Sequence, residues 1–127
     1  MNLEDMQLAA RGAYVECALW SSTDESDESG GEPLDANYSA DDIAAATLAT
    51  MHEECDQFIA AYWALIVESG QSPEQCGCDF WLTRNGHGAG FWDRGYPARI
   101  GDALTQAAKT EGARDLYVGD DGLIYQV

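Results

Sequence analysis

The stretch DFWLTRNGHGAGFWDRG, residues 79–95, decides the fold that the sequence predicts. Two short aromatic-rich segments, residues 79–84 and 89–94, flank a glycine-rich centre, which is the pattern of two strands with a tight connection. The glycines permit positive φ and a close approach of the backbone. We therefore expect a β-hairpin here, with Trp81 and Trp92 packed on its sheet.

The residues that follow predict the rest of this sheet. Residues 97–111 carry apolar side chains on one helical face, and Gly112 ends the helix. Residues 115–127 (DLYVGDDGLIYQV) carry β-formers on both sides of GDDG, which favours a second hairpin with a type I′ turn at residues 119–122. GDDG lacks the alternating ligands and terminal Glu of a calcium loop.

The residues that precede the stretch 79–95 predict two helices. Apolar residues recur at steps of three and four over residues 3–20 and again up to residue 69, where Gly70 follows. Ser39 and Asp42 form a capping-box pattern at the predicted start of the second helix. Between the helices, residues 21–38 form an acidic loop whose glycines and proline favour flexibility. The prediction is one α+β domain over residues 1–127: two N-terminal helices followed by a ββαββ unit with an antiparallel sheet.

The charge is distributed unevenly along the chain. The formal net charge is -17, from 23 acids against six bases. No Lys or Arg lies between residues 12 and 83, where fifteen of the acids lie. Such a polyanion repels nucleic acid and anionic lipid, so direct binding to either is not expected. Acids that only adapt a protein to salt would spread over every face, whereas segregation favours a functional surface.

Carboxylates along a helix can imitate the phosphates of a nucleic-acid strand. The leading hypothesis is therefore a non-enzymatic protein that inhibits a host nuclease or CRISPR complex by occupying its basic groove. The predicted contact residues are a phosphate-like row and a flexible extension. The row is Asp41, Asp42, Glu53, Glu54 and Asp56, and the extension is Asp24, Glu25, Asp27 and Glu28.

A second hypothesis is a small enzyme or anionic-ligand-binding protein centred on residues 79–95. Arg84, His87, Asp93 and Arg94 would then converge on the substrate, with His87 as acid or base. The structural alternative, which we favour, is a tight hairpin without catalysis. A third hypothesis is an accessory protein with an acidic coat and no inhibitory role.

The N-terminus lacks the pattern of a signal peptide, and no apolar run is long enough for a membrane span. We therefore expect a cytoplasmic protein whose four cysteines are thiols. Cys76 and Cys78 form a CxC pair near His87, but this spacing has no matching second pair, so we expect no metal and no cofactor.

Four segments together resemble small proteins of unassigned function encoded by bacteriophages and plasmids. They are ECALWSS (16–22), LDANYSADDIA (34–44), DFWLTRNGHGAGFWDRG (79–95) and DLYVGDDGLIY (115–125). In that group histidine often precedes DFW, where this chain has Cys78. The resemblance implies an origin in a mobile element. By analogy with other acidic proteins of such elements, it implies an anti-defence role, anti-CRISPR or antirestriction, inside a bacterial host cell.

Overall fold

The computed structural model describes residues 2–26 and 30–127, and most of these residues are helical. The helices are α1 (Leu3–Ser21), α2 (Ala45–Ser69), α3 (Pro73–Arg84) and α4 (Ala98–Glu111). Two short antiparallel pairs of strands accompany them: β1 (Thr23–Asp24) with β2 (Glu32–Pro33), and β3 (Leu116–Val118) with β4 (Ile124–Gln126). The predicted α+β fold, two helices and then a ββαββ unit with an antiparallel sheet, is therefore wrong.

The error lies in the first part of the stretch 79–95. Residues 79–84 form the second half of α3, which begins after Ser72, where the side-chain hydroxyl accepts the N–H of Gln75 at 3.1 Å. Pro73 occupies the first helical position, where its missing N–H removes no helical hydrogen bond. Residues 76–84 are buried except for Cys78, so the segment has no polar face that would reveal a helical period.

The second part, residues 89–95, consists of turns and bends instead of a strand. Thr83 Oγ1 accepts the N–H of Phe91 at 3.2 Å. A Cβ atom at Gly90 would lie only 2.1 Å from that oxygen, so the close approach needs glycine here. This turn inserts the Phe91 ring into the core and leaves Trp92 exposed, which contradicts the expected packing of Trp92 on a sheet.

The predicted first helix is confirmed as α1. The side chain of Asn2 accepts the N–H of Asp5 at 2.8 Å and caps the helix. Met6, Ala10 and Tyr14 are buried along one face, as their spacing predicts.

The second helix begins later than predicted. The capping box of Ser39 and Asp42 is present, but it caps a single 3-10 turn, Ala40–Asp42. Ile43 and Ala44 then have extended backbone, and the N–H of Ala44 donates to Ile124 O at 2.9 Å. This contact with β4 delays α2 until Ala45, and the helix ends at Gly70 as predicted.

The third predicted helix and the C-terminal hairpin are confirmed as α4 and β3–β4. The turn of that hairpin is not type I′, because every positive φ among the described residues belongs to a glycine and Asp120 and Asp121 therefore have negative φ. Gly122, with φ 81°, supplies the left-handed residue.

The core lies where α1, α2 and α3 meet. The rings of Phe58 and Phe80 stack at 4.0 Å between centroids, and Tyr14 stacks on Phe80 at 5.3 Å. α1 and α3 pack very closely, since a Cβ atom at Gly77 would lie 2.1 Å from Ala10 O. In the part of the chain that the structure describes, no helix is both long enough and apolar enough to cross a membrane.

Candidate protein-docking surface

The three carboxylates predicted on α2 have different surroundings. Glu53 is exposed and accepts a hydrogen bond from Gln57 Nε2 at 3.2 Å. Asp56 pairs with Arg11 of α1 at 3.3 Å. Glu54 turns towards the core side of the helix. Of the three, Glu53 alone offers its charge to solvent without a salt bridge to a described residue.

Glu54 belongs to an internal network. Its Oε2 lies 3.3 Å from a guanidinium nitrogen of Arg84, and its Oε1 accepts from Gln126 Nε2 at 2.8 Å. Arg114 Nε approaches the same carboxylate at 3.5 Å. The Arg84 side chain is 1% exposed, and a buried guanidinium without a carboxylate partner is very costly. The structure therefore assigns Glu54 a stabilising role inside the fold.

The other two acids of the predicted row lie outside α2. Asp41 and Asp42 belong to the 3-10 turn, so the five acids do not follow one helix face. Asp42 accepts the N–H of Ser39 at 2.8 Å, whereas the side chain of Asp41 is exposed.

Two acids of the predicted extension, Asp24 and Glu25, lie in β1 and directly after it. Asp24, in β1, accepts the N–H of Ser26 at 2.9 Å. Glu25 accepts the hydroxyl of Thr23 at 2.7 Å. Asp27 and Glu28, the other two residues of this prediction, lie outside the described residues.

Leu34 anchors the acidic segment to α1. Its side chain is fully buried, and its N–H donates to Ser22 O at 2.9 Å. Tyr38 packs partly against the same core. The chain on both sides of these two residues is thereby positioned along the C-terminal half of α1.

A groove of about 400 Å³ lies between this segment and α1, and we call it the Trp20 groove. Trp20 is 49% exposed and supplies an aromatic wall together with Tyr38. Acids Glu16 and Asp35 also line it. The full lining is Glu16, Leu19, Trp20, Asp35, Tyr38, Ser39 and Ala40.

The described acids of the segment that holds the Trp20 groove, seven acids between residues 16 and 42, have no salt-bridge partner among the described residues. Their hydrogen-bond donors are neutral backbone, hydroxyl or amide groups. The seven are Glu16, Asp24, Glu25, Glu32, Asp35, Asp41 and Asp42. No salt bridge to a described base therefore offsets the charge of these seven acids, and two of them, Glu16 and Asp35, line the Trp20 groove.

The residues of the alternative ligand site do not converge. Arg84 is buried, donating to Tyr14 and to the carbonyls of Glu111 and Gly112. Arg94 pairs at 3.0 Å with Asp79, which lies five positions before Arg84 in α3. A step of five positions along a helix changes the side-chain direction by about 140°. The two guanidinium groups are therefore held on different sides of α3.

The other two residues of that site lie on the glycine-rich turns. Asp93 accepts the N–H of Gly90 at 3.0 Å and stabilises a turn. His87 is exposed. Neither has a contact that joins it to Arg84 and Arg94 in one pocket among the described residues.

The four cysteines lie in two settings, with two cysteines in each. Cys55 and Cys76 are fully buried, whereas Cys78 is partly exposed and lies beside Cys17. Across residues 2–26 and 30–127, no three His, Cys, Asp or Glu side chains are grouped closely enough to hold a metal ion.

Comparison of the chain with protein-family models, with curated proteins and with solved structures finds no match in any of the three.

The inward position of Glu54 and the Trp20 groove both differ from the sequence prediction. Only the position of Glu54 could have been recognised from the sequence. Glu54 follows Met51 by three residues and precedes Phe58 by four, so its position beside the apolar stripe of α2 could be read from spacing. No sequence pattern indicates the Trp20 groove, because one wall comes from α1 and the other from residues 35–40, which follow α1 only after a long connection.

Proposed function

We propose that this chain is a non-enzymatic anti-defence protein, which docks its acidic surface onto the basic nucleic-acid-binding groove of a host nuclease or CRISPR complex. The observation that carries the proposal is the group of seven acids between residues 16 and 42 that make no salt bridge with a described residue. The docking surface differs from the helical row read from the sequence. It is centred on the Trp20 groove.

Charge complementarity favours a basic partner over other macromolecules. Carboxylates that make no salt bridge within the protein have none to break when a basic surface approaches. At a net charge of -17 the chain also attracts cationic surfaces over the length set by ionic screening, about 8 Å at physiological salt. A groove that binds nucleic acid carries the complementary charge.

The Trp20 groove adds a local contact to this long-range attraction. The exposed face of an indole ring binds Arg and Lys side chains through cation–π contacts. Glu16 and Asp35 line the same groove and can pair with a cation that enters it. A basic side chain of the partner therefore finds both an aromatic surface and carboxylates in one groove.

The resemblance of four segments to proteins of bacteriophages and plasmids supports the biological setting. A mobile element gains from blocking host enzymes that recognise its nucleic acid, and an acidic protein competes for the same basic groove. Inhibition by this route needs no catalytic group.

The test compares two variants with the same change in net charge. Replacement of Glu16→Gln, Asp35→Asn and Asp41→Asn neutralises three acids in or next to the groove. None of these three side chains makes a salt bridge or a side-chain hydrogen bond with a residue that the structure describes. We expect this variant to lose protection of phage or plasmid DNA in a host with active restriction or CRISPR defence. We also expect it to lose the ability to displace DNA from the inhibited enzyme.

The matched control neutralises three exposed acids elsewhere: Asp102→Asn, Asp115→Asn and Asp120→Asn. It has the same net charge as the first variant, so any effect of total charge is equal in both. The control should retain protection and competition with DNA. Equal activity of the two variants would refute a docking surface at the Trp20 groove, and absence of protection by the unmodified protein against every defence tested would refute the function.

A further inference from the structure

Two cysteine side chains from different helices meet at the boundary between core and solvent. Cys17 of α1 and Cys78 of α3 place their sulfur atoms 2.6 Å apart, although 61 positions separate them in the sequence. Cys17 is 1% exposed, and Cys78 is partly exposed. The close packing of α1 on α3 at Gly77 holds the two thiols together.

We propose that Cys17 and Cys78 are a redox modification site, which a hydroperoxide converts into a reversible intramolecular disulfide. The bond requires sulfur atoms about 2.05 Å apart, so the existing separation needs only a small side-chain movement. This inference is independent of the proposed docking function, because it depends on the contact between α1 and α3 alone.

Cys78 is the residue that reacts first. The hydrogen bond between the Cys17 and Cys78 thiols lowers the pKa of Cys78, and the nearby guanidinium of Arg94 acts in the same direction. Partial burial and the carboxylate of Asp79 oppose the shift in pKa. The thiolate is the nucleophilic form, so the more exposed sulfur is also the more reactive one.

The chemistry takes two steps. The thiolate of Cys78 attacks the terminal oxygen of a hydroperoxide, the O–O bond breaks, and the departing alkoxide or hydroxide takes a proton from water. Cys78 is then a sulfenic acid. The sulfur of Cys17 attacks the sulfur of Cys78, its thiol proton leaves with the hydroxyl group as water, and the disulfide forms. Two thiols have been oxidised by one peroxide, and a small dithiol reverses the change.

The other two cysteines serve as internal controls. Cys55 and Cys76 are fully buried, and burial raises the pKa of both thiols. A buried, protonated thiol reacts slowly with peroxide. Oxidation of Cys17 and Cys78 without oxidation of Cys55 and Cys76 therefore distinguishes a specific reaction at the adjacent pair from unselective oxidation of all four cysteines.

The experiment treats the folded, reduced wild-type protein with hydrogen peroxide and measures its intact mass under non-reducing conditions. The chain should lose two hydrogen atoms, remain monomeric on a denaturing gel without reductant, and recover its mass with dithiothreitol. After unfolding, Cys55 and Cys76 should react fully with iodoacetamide. Equal rates at different protein concentrations should show that the bond forms within one chain.

Peptide mapping needs a protease that cleaves after glutamate, because no Lys or Arg lies between residues 12 and 83 to separate the cysteines for trypsin. Cleavage after Glu16 and Glu74 releases Cys17 apart from Cys78, and fragmentation at Gly77 distinguishes Cys78 from Cys76. A Cys17–Cys78 link is the expected result. A link that involves another cysteine, a bond between chains, or addition of oxygen without any link would overturn the proposal.

Discussion

Arg84 donates a hydrogen bond to the phenolic oxygen of Tyr14 at 3.0 Å, and so joins α3 to α1 through two buried side chains. The same guanidinium stacks over the Phe80 ring at 5.0 Å and pairs with Glu54 of α2. One cation thus connects three helices. This also explains why an arginine that the sequence offers as a ligand-binding residue is inaccessible to a ligand.

Removing this cation should strongly destabilise the protein. Arg84→Leu removes one of the donors to the Glu54 carboxylate, which keeps Gln126 and Arg114. It also removes the Arg84 donor from the Tyr14 hydroxyl and from two carbonyls, and breaking a buried pair costs about 3–5 kcal/mol. Urea unfolding measures the loss. Arg99→Leu is the control, since Arg99 pairs with Glu68 on the surface, where the loss should be below about 1 kcal/mol. Equal losses for both variants would contradict a special role for Arg84.

Two adjacent acids of α2 should respond differently to neutralisation. Glu54→Gln weakens the contacts with Arg84 and Arg114, and a hydrogen bond to a charged group contributes about 1.5–3 kcal/mol. Glu53→Gln loses only an exposed contact with Gln57 and should leave the free energy of unfolding almost unchanged. Both variants change the net charge equally. A larger loss for Glu53→Gln would show that the assignment of the two side chains is reversed.

The contact of α1 with α3 predicts opposite effects for two glycine substitutions. Gly77→Ala places a methyl group 2.1 Å from Ala10 O, and backbone cannot yield as a flexible side chain does, so we expect a loss of about 1–3 kcal/mol or more. Gly12→Ala meets nothing within 4 Å on α1 and should gain about 0.5–1 kcal/mol from helix propensity. Thermal unfolding of both variants measures the difference. A stabilised Gly77→Ala protein would refute the close helix contact.

Elements with an amphipathic pattern could be predicted from the sequence, whereas a helix buried on nearly all sides could not. α1 and α4 show apolar side chains at helical spacing, and the structure confirms both helices. α3 is surrounded by the core on nearly every side, so consecutive residues such as Phe80 and Trp81 are both apolar. Aromatic residues in succession favour a strand in a sequence-based prediction. Thr83 and Gly90 make a contact across the following turn that no local pattern reveals.

The candidate surface was predictable in its charge and not in its geometry. The absence of bases over residues 12–83 is a property of the sequence. Which acids lack a salt bridge depends on arginines distant in the chain, such as Arg11 for Asp56 and Arg84 for Glu54. In the sequence, Trp20 continues the apolar stripe of α1. Its side chain is nevertheless half exposed, because the last turn of α1 extends beyond the core at this position.

Asp79 should make the stability of the protein depend on pH in an unusual direction. Its side chain is 0% exposed, and burial raises the pKa of this carboxyl from 3.8 to about 6, although Arg94 at 3.0 Å opposes the shift. The folded state therefore holds the proton more tightly than the unfolded state. By linkage, the contribution of Asp79 to the free energy of unfolding falls as the pH rises from about 4 to about 6, and it stays low above that range.

The Asp79→Asn variant isolates this effect, because the amide has no proton to lose in this range. The free energy of unfolding of the variant minus that of the wild type should increase from about pH 4 to about pH 6, by up to about 3 kcal/mol, and then level off. Urea unfolding with reductant present measures it at each pH. Repulsion among the other acids changes with pH in both proteins and largely cancels in this difference, which the exposed variant Asp102→Asn checks directly. A difference that is constant across the range would mean that Asp79 is ionised in the folded protein throughout, with Arg94 outweighing burial.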